Sequence, residues 1–226
     1  MAKETKEQPV IDIEGAFDKT EHYIEQNRKS LLLIVGGVVL LVGIYFGWKY
    51  FYMKPNNEKA ATAMYKAEMY FAQDSFNLAI NGRGDTLGFA QIVDKYGMTQ
   101  SGNMARYYLG VCYLRTGKFD QAIESLEDFD ADDMYLSSLS LGLLGDAHLE
   151  KGQQEEAIEY YLKAAKKHPN KFTSPVFLKK AAFVYDDQGK KEEAVKLYQQ
   201  IKSDFPESQE AAQVEKYITR DGGTVQ

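Results

Sequence analysis

The chain has 226 residues, 44% hydrophobic and 27% charged, with 27 Lys and Arg against 33 Asp and Glu and a net charge of −6. That acidic balance lacks the basic stripe of a nucleic-acid binder. The single cysteine, Cys112, excludes an intrachain disulfide and suits either side of a membrane.

In chain order, residues 1–29 read as a charged tail. "MAKETKEQP" has the composition of a disordered segment. "IDIEGAFDKTEHYIEQN" then places Ile13, Phe17 and Ile24 at helical spacing, the stripe of an amphipathic helix at a membrane surface or against a partner.

Residues 30–52 predict a transmembrane helix. No charge falls between Lys29 and Lys49, leaving roughly 19 residues to cross a hydrocarbon core of about 30 Å. The core helix of a soluble domain would show a polar face, and none is present. A cleavable signal would be shorter, start earlier and end in a small-residue cut site. Trp48, Tyr50, Phe51 and Tyr52 sit at the far end, where amphipathic rings favour the headgroup level. Gly36, Gly43 and Gly47 share one face, and "GIYFG" is a GxxxG. This is either a face for close helix packing or the ordinary glycine content of membrane helices. Lys19, Arg28 and Lys29 precede the span, whereas Lys49, Lys54, Lys59 and Lys66 follow it, so positive charge does not choose a side. A short tail before a long domain suits an anchor that exports its C-terminal part.

Residues 53–102 predict a linker and a degenerate first repeat. "EKAATAMYKAEMYFAQDSFNLAI" reads as one helix with Ala61, Met64, Tyr65, Met69 and Phe71 on its apolar side. "NGRGD" breaks it, and "TLGFAQIVDKYGMTQSGN" supplies a second short helix and a loop.

Residues 103–208 repeat. Gly117, Gly152 and Gly189 correspond at steps of about 35 and about 37 residues, near the period of a two-helix repeat. Ala122, Ala157 and Ala194 follow them, then Leu126, Tyr161 and Tyr198. Gly110, Gly145 and Ala182 form a further small series, and Pro169 and Pro206 close the second and third units. The turn glycine takes the left-handed conformation that ends a helix. The small residues let paired helices close, and the large ones fill the space between repeats. The first unit lacks a closing proline, with Met134 at that place after the acidic loop "EDFDADD". Residues 209–226 hold "QEAAQVEKYITR", a polar-faced capping helix, and a fraying end. The expected fold is therefore all-α: one transmembrane helix, then an α-solenoid of about three repeats between a degenerate N-terminal repeat and a C-terminal cap.

No constellation for catalysis stands out, and no enzyme or cofactor is expected. Cys112 lies in the apolar "YYLGVCYL" and reads as a core residue. His22, His148 and His168 are scattered without metal-ligand spacing. Asp128, Asp130 and Asp132 alternate like a calcium loop, but Asp133 and Leu139 stand where glycine and a bidentate glutamate belong. "RGD" at Arg83–Asp85 is a turn, and "NGRG" lacks the lysine and serine of a phosphate loop.

The recurring small and large positions resemble the tetratricopeptide repeat from Asn103 to about Ser208. In that family the first helices line a groove that binds peptides or helices. The resemblance implies groove positions at Tyr107, Val111 and Leu114, at Asp146 and Glu150, and at Lys179, Phe183, Asp186 and Asp187. The alternative for Tyr107 and Phe183 is packing against neighbours. The layout, with Gly47, Trp48, Lys49 and Tyr50 closing the span before an alanine-rich helix, is similar to the YfgM-type ancillary subunits of the bacterial SecYEG translocon. That resemblance implies an inner-membrane protein with a cytoplasmic N-terminus and periplasmic repeats. Its implied partners are the translocon, the membrane chaperone PpiD and exported polypeptides, beside the lipid bilayer itself. Two other readings stay open: a scaffold for another envelope assembly or secretion complex, and a metal-dependent enzyme or accessory built on Asp128–Asp133.

Overall fold

The computed structural model describes residues 24–131 and 133–222. Ile13, Phe17, His22, Lys19 and Asp132, and the residues after Gly222, lie outside them. The chain divides into two compact units, Met1–Met53 and Lys54–Gln226.

The first unit contains α1, Arg28–Trp48, followed by a π-helical turn at Lys49–Met53. α1 is long and apolar enough to cross a bilayer, and none of its residues is buried. The π turn falls on the aromatic run Tyr50, Phe51 and Tyr52, all exposed.

The second unit is helical throughout, with one isolated bridge between Arg83 and Thr86 among the described residues. It opens with α2 (Lys54–Ala72), α3 (Phe76–Asn81) and α4 (Phe89–Tyr96). Three helix pairs follow: α5 (Gln100–Arg115) with α6 (Phe119–Glu127), α7 (Met134–Glu150) with α8 (Gln154–Lys167), and α9 (Ser174–Asp187) with α10 (Lys191–Asp204). α11 (Gln209–Arg220) packs on α10 and α9 as the cap.

Local chemistry explains these bounds. The hydroxyl of Thr99 accepts the Gly102 N–H at the start of α5, the Asp133 carboxylate accepts two N–H groups at the start of α7, and Ser208 accepts one at the start of α11. Gly117, Gly152 and Gly189 sit at φ of +72°, +75° and +74°, the left-handed turn each repeat requires. A Cβ on Gly145 would lie 2.6 Å from the Tyr161 ring, so glycine is what lets α7 meet α8. Ala122, Ala157 and Ala194 are fully buried.

Among the described residues two core clusters stand out, with Ala122, Leu126, Leu144 and Ala147 buried between them in sequence. One runs from α2 to α5 and includes Ala60, Met64, Phe89, Ile92, Leu109 and Cys112; the other runs from α8 to α11 around Tyr161, Phe177 and Tyr198. Two expectations for the start of this unit are corrected. The helix from Glu58 does not continue to Ile80: it stops at Ala72, and Asp74 turns the chain at φ +54°. The buried face of α2 is Ala60, Met64 and Ala67, with Phe71 packed beside them, whereas Ala61, Tyr65 and Met69 face solvent. α2 carries apolar residues on two faces, so periodicity alone did not single out the packed one.

Candidate functional site

Where the first two repeats meet, α5 and α7 leave a cleft of about 720 Å³. Its apolar floor is Val111 and Leu114 from α5 and Leu143 and Leu149 from α7. Phe119 closes one end, delivered there by the Gly117 turn. Arg115, Asp146, Glu150 and Lys180 supply the polar margin.

The four charges are not equivalent. Asp146 accepts the Tyr161 hydroxyl at 2.6 Å and receives Lys180 Nζ at 2.6 and 2.7 Å. Burial, then this hydrogen bond, push the Tyr161 phenol well above its ordinary pKa. Asp146 and Lys180 are thus neutralised within the fold. Arg115 and Glu150 are exposed and make no hydrogen bond or ion pair among the described residues. The cleft therefore offers an apolar floor, one open guanidinium and one open carboxylate.

Of the nine groove residues expected from the sequence, Val111, Leu114, Asp146 and Glu150 come together here. The other five lie elsewhere on the first helices, each in contact with a neighbour. Tyr107 packs 5.4 Å from the Phe129 ring and is half-buried. Lys179 reaches Glu210 and Gln213 on α11, each at 3.3 Å. Phe183 sits edge-on to Tyr217 at 5.2 Å while staying 40% exposed. Asp186 accepts the Tyr198 hydroxyl at 2.7 Å and an Arg220 N–H at 2.6 Å. Asp187 accepts from Gln154 at 2.8 Å. For Tyr107 the packing alternative describes the geometry, and Asp186 belongs to an internal network instead of an open surface.

Leu143, Leu149, Arg115, Phe119 and Lys180 went unnoticed in the sequence. A signal was available for the first: Leu139, Leu143, Asp146 and Glu150 stand at i, i+4, i+7 and i+11, one stripe of α7. Lys180 needs the three-dimensional pairing, since it lies 34 residues from Asp146.

The acidic loop is used structurally. Asp133 caps α7, and the Asp130 backbone exchanges hydrogen bonds with the Asn103 side chain. Among the described residues no three His, Cys, Asp or Glu side chains gather into a metal site. The His148 ring stacks on Tyr160 at 5.0 Å with Nδ1 2.9 Å from Gln153 Oε1, and His168 ends α8. Cys112 is fully buried, and burial raises its thiol to about 12, which keeps it unreactive. In α1 a Cβ on Gly36, Gly43 or Gly47 would meet nothing within 4 Å, so that face is open. Trp48, Tyr50, Phe51 and Tyr52 are 42%, 60%, 87% and 52% exposed.

Comparison with protein families matches residues 89–135 and 116–171 to one tetratricopeptide-repeat description and residues 179–208 to another. The matches span α4 to α10, the helices that build and flank the cleft. Comparison with curated proteins gives no match.

Proposed function

Because the chain is a tetratricopeptide-repeat protein, we propose that it is a membrane-anchored adaptor whose cleft binds a protein partner. Repeats of this kind are protein-interaction scaffolds, typically without catalysis of their own. The observation that carries the reading is the cleft: its floor is leucine and valine, and its two unengaged charges have opposite sign. A polypeptide offers that mixture, an apolar side chain between polar groups, whereas a small anion or metal would find no convergent ligands. α1 supplies the tether, and a tether raises the local concentration of the cleft so that weak contacts suffice.

The finer proposal follows the likeness to YfgM-type subunits. α1 crosses the bacterial inner membrane with its N-terminus in the cytoplasm. The repeats stand in the periplasm beside the SecYEG translocon and a PpiD-type chaperone, where the cleft meets exported chains. The span's closing residues Gly47, Trp48, Lys49 and Tyr50 support it.

A photo-crosslinking residue at Leu143, and separately at Gly43, tests this in intact cells. Adducts from Leu143 to translocon, chaperone and many exported chains are expected. Adducts to one fixed envelope component would move the protein to another assembly. No adduct from Leu143, with the repeats folded, would remove the cleft as a binding site.

A further inference from the structure

The repeat unit has a tethered edge, and that edge is built from turns. Asn57 near the start of α2 accepts the Ser101 N–H at the start of α5 at 2.9 Å. Asn103 on α5 bonds Asp130 just before α7. Lys171 before α9 reaches Glu207 before α11 at 2.9 Å. The first helices thus start side by side, at the edge where the chain enters the unit at Lys54, directly after the apolar α1 and its π turn.

On that edge the turn between α8 and α9 differs from its surroundings. Residues 159–172 carry Lys163, Lys166, Lys167 and Lys171 against one acid, Glu159, in a chain of net charge −6. Glu159 is consumed by Lys163 at 2.6 Å, while Lys166 and Lys167 are exposed with no ion-pair partner among the described residues. They flank a shallow depression floored by Leu141 and Leu162. Beyond them Phe172 is 62% exposed. Its turn is rigidly made: Asn170 Oδ1 accepts the Phe172 and Thr173 N–H groups, both at 2.9 Å, and Asn170 Nδ2 donates to His168 O and Thr173 Oγ1. Ser174 Oγ donates to Ala165 O. A fully bonded turn therefore holds an exposed aromatic ring under Lys171, whose ammonium lies 5.9 Å from the ring centre, with the unpaired Lys166 and Lys167 in the helical turn before it.

The position of Lys166 and Lys167 in the last turn of α8 suits the helix dipole. The dipole explains their sign but not the displayed ring. We propose that this turn docks the tethered edge onto an anionic bilayer surface, with Phe172 at the headgroup level and Lys166 and Lys167 against lipid phosphates. The ring stands on a turn tip and not in a pocket that could clasp a peptide, and the same edge is joined to a lipid-compatible helix. The acidic turn between α6 and α7, with Asp128, Asp130 and Asp133, is repelled by the same surface, so contact is confined to the α8–α9 turn. Docking would fix the height and tilt of the cleft above the membrane.

The inference rests on the anchor reading, and the test separates the two. The full chain carries a nitroxide at Phe172→Cys, or separately at Val39→Cys; buried Cys112 stays unlabelled. It is reconstituted into phosphatidylcholine vesicles with or without phosphatidylglycerol. Label 39 should be lipid-embedded in both, and label 172, whose nitroxide is itself apolar, should become lipid-accessible only with phosphatidylglycerol. K166Q together with K167Q should shift that docking equilibrium about 25-fold, roughly fivefold per lysine. Label 39 in water would sink the anchor. Label 39 in lipid with label 172 in water in both vesicles would sink the docking alone. Shielding of label 172 by polyglutamate and not by anionic lipid would assign the turn to an acidic protein partner and overturn the proposal.

Discussion

In the second and third repeats a tyrosine from the second helix reaches an aspartate on the first: Tyr161 to Asp146 and Tyr198 to Asp186. A cation 34 residues beyond each aspartate, Lys180 or Arg220, joins that pair to the next helix. In the first repeat, Leu126 stands where the tyrosines stand, Val111 stands in the register of Asp146 and Leu114 in that of Asp186, so no such rung forms there. Stacked rings, Phe89 on Tyr108 at 5.2 Å, take over the neighbouring role. The difference shows why the cleft lies at the first junction. A polar rung fills the space between first helices with bonded side chains. A valine in the same place asks for no partner, and with Leu114 it is left open to a guest.

Substitutions at the two kinds of junction test that contrast. Ala157→Trp has the largest expected effect, since Ala157 is fully buried where α8 meets Gly145. Overpacking there should cost about 3 kcal/mol or more in a denaturant melt. An unaltered midpoint would refute the alignment of the repeats. Gly145→Ala against Gly110→Ala refines it. A Cβ at Gly145 meets the stiff Tyr161 ring at 2.6 Å, whereas one at Gly110 meets the Leu126 side chain at 2.5 Å. Leucine can change rotamer more readily than a ring held by a hydrogen bond, so the Gly145 variant should lose more stability.

Leu126→Ala and Tyr161→Phe come next. Leu126 is 2% exposed, and truncation should cost about 2–4 kcal/mol through lost burial and a residual cavity. Tyr161→Phe keeps the ring and removes only the hydroxyl, so about 1 kcal/mol is expected. The Tyr161 loss should shrink in an Asp146→Asn background, as a double-mutant cycle would reveal. Additive losses would mean that the rung is not a unit.

The repeat register was readable because geometry restricts it to few residue types. Only glycine sits comfortably at φ near +72°, as at Gly117, and only a small side chain fits at Gly145 or Ala157. The face of α2 was not readable, because Tyr65 and Met69 are as apolar as the buried Met64. The state of the charges was hidden for another reason. Asp146 and Glu150 look alike in sequence, yet one is bound by Lys180 and Tyr161 and the other is open, and those partners lie 34 and 15 residues away.

Alkaline pH probes the two tyrosine–aspartate rungs more subtly. The Tyr161 and Tyr198 phenols are raised above their ordinary pKa, by burial first and then by Asp146 or Asp186. A raised folded pKa favours the protonated form, so this contribution is complete below about pH 10, the unfolded value, and is lost as pH climbs beyond it. Melts between about pH 9 and 12 should show this loss beside that from the buried Cys112 thiol and the raised Tyr107, Tyr108 and Tyr113 phenols of the first repeat. Y161F combined with Y198F should flatten that decline while lowering stability at neutral pH. A decline of unchanged slope would place the alkaline sensitivity elsewhere.

The smallest effect tests the junction at the cleft. Asp120 on α6 meets Lys151 after α7 at 2.6 Å, bridging the first two repeats, but the two side chains are 84% and 30% exposed. Such a pair is worth about 0–1 kcal/mol and is screened within about 3 Å at 1 M salt. Asp120→Ala should therefore shift the melt slightly at low salt and by less at high salt. A loss larger than that of Tyr161→Phe would mean that the first junction also depends on a polar clamp, and the contrast between the halves would fail. A null result leaves the junction to packing and to the Asn103–Asp130 and Tyr160–Glu127 hydrogen bonds, none of which engages Val111 or Leu114, the condition under which those two can stay open.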